Sequence, residues 1–546
     1  MKASKDQVDT EVKKNTPTAN KETDSNPIRP ELAEVIHRHS FGLDKNRPDA
    51  VAKRQQKNQR TARTNVEGLC DKDRFIEYGA LAIAAQRGRR SVNDLISKTP
   101  ADGLIAGIGS VNGTLFSDDK ARCMVMAYDY TVLAGTQGYF NHKKMDRMLK
   151  LAHEQSLPLV FFAEGGGGRP GDVDAGGVVV AGLDLSTFGS FARLSGHVPL
   201  VGVVSGPCFA GNAALLGCCD VIIATKNSNI GMGGPVMIEG GGLGVFKPEE
   251  IGPMDVQTQN GVVDVEVADD VEAVAVAKQY LSYFQGTTSQ WAAADQLRLR
   301  NLIPESRKRA YNVRTIIKAM ADTDTFLELR PKFGPGMITG FIRIEGRPFG
   351  VIANNSMHMA GAIEAEGADK AARLMQLCNA HGVPILSLCD TPGFMVGPEI
   401  EKRAQVRHVC RMFVIGSHLS APYFTIVLRR GYGLGAMAMA KGGFHESFFT
   451  AAWPTGEFGA MGLEGAVKAG FKKELAAIEN PQEREALYEK LVAQLYERGK
   501  AINMASYLEI DAVIDPADTR KWIMQGLKSV PTRQPQEAGH SFVDPW

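Results

Sequence analysis

The residues best suited to chemistry in this chain are small ones at the ends of apolar runs. In VVSGPCFAGNAALL (203–216) the pair Ala210–Gly211 follows a buried-strand pattern and opens a run of small residues. In IVLRRGYGLGAMAM (426–439) the pair Leu434–Gly435 does the same. Backbone N–H groups at such a helix start are unpaired and aimed at one point. Small side chains let a ligand approach the main chain closely. Two N–H groups converging on a carbonyl oxygen would stabilise negative charge developing there. The preceding turns, Gly166–Gly167 and Gly393–Phe394, offer further donors. Arg169 stands next to the glycines, placed to pair with Glu164 or with a phosphate.

Side chains offer less. Ser205 is not in a GxSxG elbow. His142, His197, His381 and His445 show no metal spacing such as HExxH, so no metal site is expected. Glu164 and Asp390 follow two apolar strands at matching places, where they would accept local N–H groups and shape the turns. GGGGRPG (165–171) lacks the Gly-Lys-Ser/Thr ending of a nucleotide loop, and GIGSVNG (107–113) and GYGLG (431–435) lack the acidic partner of a dinucleotide site. What remains is a set of oxyanion-type sites without a catalytic dyad. That suits chemistry in which the substrate or a cofactor supplies the base.

The elements that hold these turns repeat. LKLAHEQSLPLVFFAEGGGGRPG (149–171) and MQLCNAHGVPILSLCDTPGFMVG (375–397) each read as amphipathic helix, proline, apolar strand, acid and glycine turn. Pro158 and Pro384 are 226 positions apart, Pro199 and Pro422 are 223, and Gly211 and Gly435 are 224. Each half therefore reads as β-α-β units on a largely parallel sheet, an α/β fold. The charged run 290–311 separates the halves, and the boundary is placed near Arg298.

Composition narrows the class. Across 546 residues, Lys+Arg is 62 and Asp+Glu is 61, a balance unlike that of a nucleic-acid binder. Eight cysteines without a CxxC spacing argue for reduced thiols in the cytoplasm and against a structural zinc. Val198–Cys219 is free of Asp, Glu, Lys and Arg, yet two prolines and four glycines interrupt it, so it reads as two buried elements rather than a membrane span. Residues 1–27 have no apolar core of a signal peptide and read as a disordered tail, and 532–546 as a loosely held one. Residues 28–65 read as helical and basic, either a solvated face or a clamp for an anionic ligand.

Four segments resemble the crotonase superfamily, and specifically the carboxyltransferase (β) subunits of biotin-dependent acyl-CoA carboxylases. They are EGGGGR (164–169), GPCFAGNAALLGCCDVIIATKNSNIGM (206–232), GADKAARLMQLCNAHGVPILSLCDTPGFMVG (367–397) and AAWPTGEFGAMGLEGAV (451–467). The resemblance implies two tandem crotonase-like β-β-α superhelical domains, residues 28–297 on the acyl-CoA side and 298–546 on the biotin side. It implies that carboxybiotin on a partner carrier gives up CO2, that biotin then takes the α-proton of the acyl-CoA thioester, and that the enolate attacks CO2. Ala210 and Gly211 would hold the thioester oxygen, and Leu434 and Gly435 the biotin ureido oxygen. Active sites would form between subunits of a hexamer, with a biotin carboxylase and a biotin carboxyl carrier as partners. No Met-Lys-Met site occurs, so the chain is not expected to carry biotin itself. The same residues admit a biotin-dependent decarboxylase, or a non-catalytic assembly partner.

The chain departs from the family pattern at three places. Met437 stands where the family often has Asp, which predicts a more apolar acyl pocket and argues against propionyl-CoA. Ala210–Gly211 replaces a Gly-Gly pair, so a side chain narrows that approach. EGGGGR replaces a DSGGAR-like turn.

Overall fold

The computed structural model describes residues 28–169, 171–174, 183–531 and 542–546. The expected tail 1–27 lies outside them. Two large sheets carry the chain. The first has the order Ile76–Tyr78, Leu104–Ser110, Arg122–Tyr128, Leu159–Phe162, Leu200–Val204, Val221–Thr225, Val265–Val267. Its first three strands are antiparallel and the rest parallel. The second runs Leu327–Leu329, Met337–Ile344, Arg347–Asn354, Ile385–Thr391, Tyr423–Tyr432, Phe449–Ala452, Ala512–Val513 with the same change of sense. LVGVV at 200–204 is buried at every position, as a strand covered on both faces must be.

The repeat seen in the sequence is a repeat of the backbone. Helices Tyr139–Glu154 and Ala365–Ala380 are both 16 residues long and 226 positions apart. Leu159 pairs with Leu200 as Ile385 pairs with Tyr423. Gln137 bridges Gly168 as Ile363 bridges Phe394. Even strained residues match: Leu133 and Ala134 (φ +49° and +53°) correspond to Met359 and Ala360 (φ +43° and +55°). L-alanine adopts this left-handed region only when its surroundings impose it.

The halves diverge after one strand. The strand Tyr423–Tyr432 continues unbroken into its glycine turn. Its counterpart stops at Val204, and Gly206 (φ +126°) redirects the chain into the short strand Pro207–Phe209 of a separate parallel sheet with Gly165–Gly166 and Asn229–Gly231. Val198–Cys219 is thus strand, turn and helix, as its glycines and prolines indicate, and no described helix is long and apolar enough to cross a membrane.

Helix Asp270–Gln285 ties the halves together. Asp269 caps it, accepting from the N–H groups of Val271 and Glu272. Its Tyr280 and Tyr283 pack on Phe341 of the second sheet at 5.7 and 5.2 Å. The buried Arg330–Asp264 pair at 2.8 Å joins the halves again.

Two expectations change here. The end of the chain is not loosely held: 532–541 lie outside the described residues, but Val543 is buried and exchanges hydrogen bonds with Ser195, and Arg411 holds Asp544 at 2.9 Å. The basic segment 28–65 is helical, over Pro30–Ser40, Pro48–Gln55 and Ala62–Leu69, but it is neither a plain solvated face nor wholly a clamp. Arg47 pairs with Asp129, Arg54 with Glu164 and Arg63 with Glu77, so its cations fasten it to the first half.

Candidate active site

In each half the fold brings the two glycine turns into contact. A Cβ on Gly166 would stand 2.4 Å from the Phe209 carbonyl oxygen, and one on Gly167 would lie 4.0 Å from the Ala210 Cβ. In the second half a Cβ on Gly435 would stand 2.7 Å from the Gly393 backbone and 2.9 Å from the Phe394 nitrogen. Only glycine allows the approaches at 166 and 435, while at 167 it is the φ of +75° that favours glycine. So Gly166, Gly167, Ala210 and Gly211 form one cluster, and Gly393, Phe394, Leu434 and Gly435 another.

Both clusters sit at helix starts. Ala210–Gly217 begins with Ala210 at φ +51°, and Gly433–Met439 with Gly433 at φ +57°. Structurally Ala210 therefore matches Gly433, and Gly211 matches Leu434, one position off the glycine alignment read from the sequence. The strand register decides this: Cys208 stands beside Gly165 as Gly431 stands beside Thr391. Among the described residues no acceptor takes the backbone N–H of Gly211, Leu434 or Gly435. The amides that carry the argument are free to meet a ligand.

The acids at the strand ends have separate environments. Asp390 receives Arg429 at 3.0 Å, and Arg430 at 2.7 Å through its side chain and 3.1 Å through its N–H. Burial would raise its carboxyl, but the two guanidinium charges outweigh burial and hold it below the ordinary range. Asp390 thus ties its strand end to Arg429 and Arg430 of the neighbouring strand, and the one backbone N–H it is seen to accept is that of Arg430, 40 positions away, not the local ones expected. Glu164 meets one cation, Arg54, at 2.5 Å, and burial pushes it up to about 7. It lines a cavity of about 500 Å³ with Lys57, Tyr130, Gly206 and Lys226, beside the turn that leads to Ala210.

Arg169 does not pair with Glu164. It pairs with Asp102 at 2.5 Å and Asp172 at 3.4 Å and donates to the Thr136 carbonyl at 2.8 Å. With a side chain only 5% exposed, it ties the glycine loop down. His142 is satisfied by Thr187, and no metal-binding cluster occurs among the described residues. Met437 and Leu434 lie on the exposed side of their helix.

The sequence reading missed three contributors. Asn212 Nδ2 donates to the carbonyls of Gly135 and Glu164, at 3.0 and 2.8 Å, which locks helix to turn. Gln137 packs over Gly211. Ala134–Gly135 and Ala360–Gly361 form matching left-handed corners beneath the acids. The signal was present: extending the offset of 226 upstream aligns Leu-Ala-Gly at 133–135 with Met-Ala-Gly at 359–361.

A duplicated sheet whose paired turns present free amides is the scaffold of an enzyme that stabilises an oxyanion with its backbone. Residues 53–538 match the carboxyl transferase domain family, and the chain belongs to that family. It is 29% identical over 500 residues to the methylmalonyl-CoA carboxyltransferase 12S subunit of Propionibacterium freudenreichii subsp. shermanii, covering 89% of this chain and 91% of that one. It is 28% identical to the propionyl-CoA carboxylase beta chain of Saccharopolyspora erythraea, covering 91% and 92%. Among solved structures, a single-chain, multi-domain long-chain acyl-CoA carboxylase superposes with a TM-score of 0.87 at 56% identity. That match covers 91% of this chain, which spans about half (49%) of the longer one. The transcarboxylase 12S hexamer superposes with a TM-score of 0.78 at 26% identity, covering 96% and 100%. The fold is the expected crotonase-like one.

Proposed function

We propose that the chain is the carboxyltransferase component of a biotin-dependent acyl-CoA carboxylase and that its acyl-CoA is long-chained. The observation that carries this reading is the pair of glycine clusters, each with unpaired amides at a helix start, in a member of the carboxyl transferase family.

Residues 28–297 form the acyl-CoA side and 298–546 the biotin side. Ala210 and Gly211 hold the thioester oxygen, so the negative charge of the enolate falls on backbone donors rather than on water. Leu434 and Gly435 hold the ureido oxygen of biotin, and Gly393 and Phe394 close the cradle behind them. The residues fit such a group: two free backbone donors, with glycine at 393 and 435 letting the turns meet. Carboxybiotin, delivered by a partner carrier, supplies CO2 and then the base for the α-proton. Gly166 and Gly167 keep the acyl turn narrow enough for the main chain to touch substrate. Lys57 and Lys226, at the rim of the neighbouring cavity, suit the phosphates of CoA.

The long acyl chain is supported by Met437, which puts an apolar side chain where the family often has an acid, and by the 56% identity to a long-chain carboxylase. A biotin carboxylase and a biotin carboxyl carrier complete the reaction. Sites shared between subunits of a hexamer follow the assembly of the 12S relative. The cytoplasm suits the eight unpaired cysteines. The test is incorporation of radiolabelled bicarbonate, with ATP, an active biotin carboxylase and carrier, and acyl-CoAs of three to eighteen carbons. Label in the longer acyl-CoAs is expected. No label in any of them rejects the reading.

A further inference from the structure

The two halves match in backbone but not in the side chain that faces the helix start. Gln137 donates its N–H to the Gly167 carbonyl at 2.9 Å, and its own carbonyl accepts from Arg169 N–H at 2.8 Å. Ile363, 226 positions on, repeats this: its N–H donates to the Gly393 carbonyl at 3.0 Å and its carbonyl accepts from Met395 N–H at 2.8 Å. The fold therefore needs nothing polar here. Ile363 is buried, and an apolar side chain serves the biotin side.

On the acyl side the same station carries an amide. Gln137 is 4% exposed, and its Nε2 is buried with no hydrogen-bond partner. The Tyr128 phenol lies near enough for the Gln137 amide to favour its ionised form against the larger effect of burial, and its hydroxyl donates to Asn141 Oδ1 at 2.9 Å. A buried donor without an acceptor is unfavourable and needs a reason, such as a catalytic role, a ligand or a bound water. The amide stands directly over the helix start. A Cβ on Gly211 would lie 2.1 Å from Gln137 Oε1 and 3.1 Å from Nε2. Gly211 is thus small because Gln137 crosses it, and the helix behind it is eight residues long with its first N–H groups unpaired.

We propose that Gln137 is a side-chain donor to the thioester carbonyl oxygen, joining the backbone N–H of Gly211 in the acyl-side oxyanion site. This rests on the acyl-CoA reading above. It makes the two sites chemically unequal. The acyl side, where full enolate charge develops, has a side-chain amide in addition to its main-chain donors. The biotin side has the apolar Ile363 at the matching station.

The test separates the carbonyl from the rest of the ligand. Two CoA probes with the same sixteen-carbon chain are titrated calorimetrically: a ketone in which CH2 replaces sulfur, and an S-alkyl thioether that lacks the carbonyl. The variants are Gln137→Ile, which copies the residue the fold accepts in the other half, and Gln137→Met, which keeps the length. In both variants the ketone should bind about 10-fold more weakly, with thioether affinity within about 2-fold of wild type. Carboxylation kcat should fall on the order of 100-fold, the usual effect of losing one oxyanion donor. Equal weakening of both probes means a structural role and overturns the proposal, as does an unchanged ketone affinity in a folded variant. If wild-type protein binds neither probe, the acyl-CoA reading falls and this proposal with it. If wild type carboxylates acyl-CoA and the variants match it, only this proposal falls.

Discussion

Lys144 and Lys370, 226 positions apart, each bury an ammonium against three backbone carbonyls. Lys144 holds the carbonyls of Gly79, Ala101 and Leu104, and Lys370 those of Arg330, Phe333 and Met337. Each lies on the helix that precedes its half's central parallel strand, so it pins the start of the first hairpin to that helix.

Lys370→Met keeps the length of the side chain but removes the buried donor that the carbonyls of Arg330, Phe333 and Met337 share, of which the Arg330 carbonyl keeps the Phe333 N–H. The expected loss is about 2–3 kcal/mol of stability, read from the urea denaturation midpoint. Lys144→Met should cost a similar amount, because the site is duplicated.

Glu164 sets a pH dependence. Its folded value, about 7, lies above the ordinary 4.5 because burial outweighs Arg54. The folded state then binds more protons than the unfolded state between those limits. The stability from this group is fully present below about 4.5 and is lost as pH rises through about 7. Glu164→Gln removes the titration. Its deficit relative to wild type should be larger at pH 5 than at pH 8, measured by thermal unfolding across that range. A deficit that is constant with pH would assign the variant's effect to packing.

Leu434→Pro tests the biotin-side amide. Leu434 is the second residue of its helix and its side chain is exposed, a position where proline is tolerated, so the variant chiefly deletes an N–H. Carboxyl transfer should fall on the order of 100- to 1,000-fold, while Leu434→Ala stays near wild type. Proline at Ala210 is no equivalent test, since φ +51° there is incompatible with its ring.

Ala210→Gly should relieve strain. A left-handed alanine costs roughly 1 kcal/mol more than glycine. The variant should raise the denaturation midpoint by a comparable amount while retaining activity, because the backbone donor is kept.

Much of this was legible in the order of residues. The offset between Pro158 and Pro384 identifies the duplication, and the runs LVFF and ILSLCD identify buried parallel strands, because hydrophobic periodicity and turn chemistry are local properties. The glycines mark where the backbone must bend or be approached, so the clusters around Ala210–Gly211 and Leu434–Gly435 can be found without coordinates. Partnerships are not local. Arg169 turned to Asp102, 67 positions away, and Glu164 to Arg54, 110 positions away, because charges inside a low-dielectric fold take whichever counter-ion packing brings closest. The equivalence of Ala210 with Gly433 rather than Leu434 needed the strand register, which a one-residue shift in glycine spacing conceals. The contrast between Gln137 and Ile363 carries meaning only once both are seen clamped by the same two backbone bonds. Sequence determined which atoms are available for the chemistry. Tertiary packing decided which of them remain unpaired to perform it.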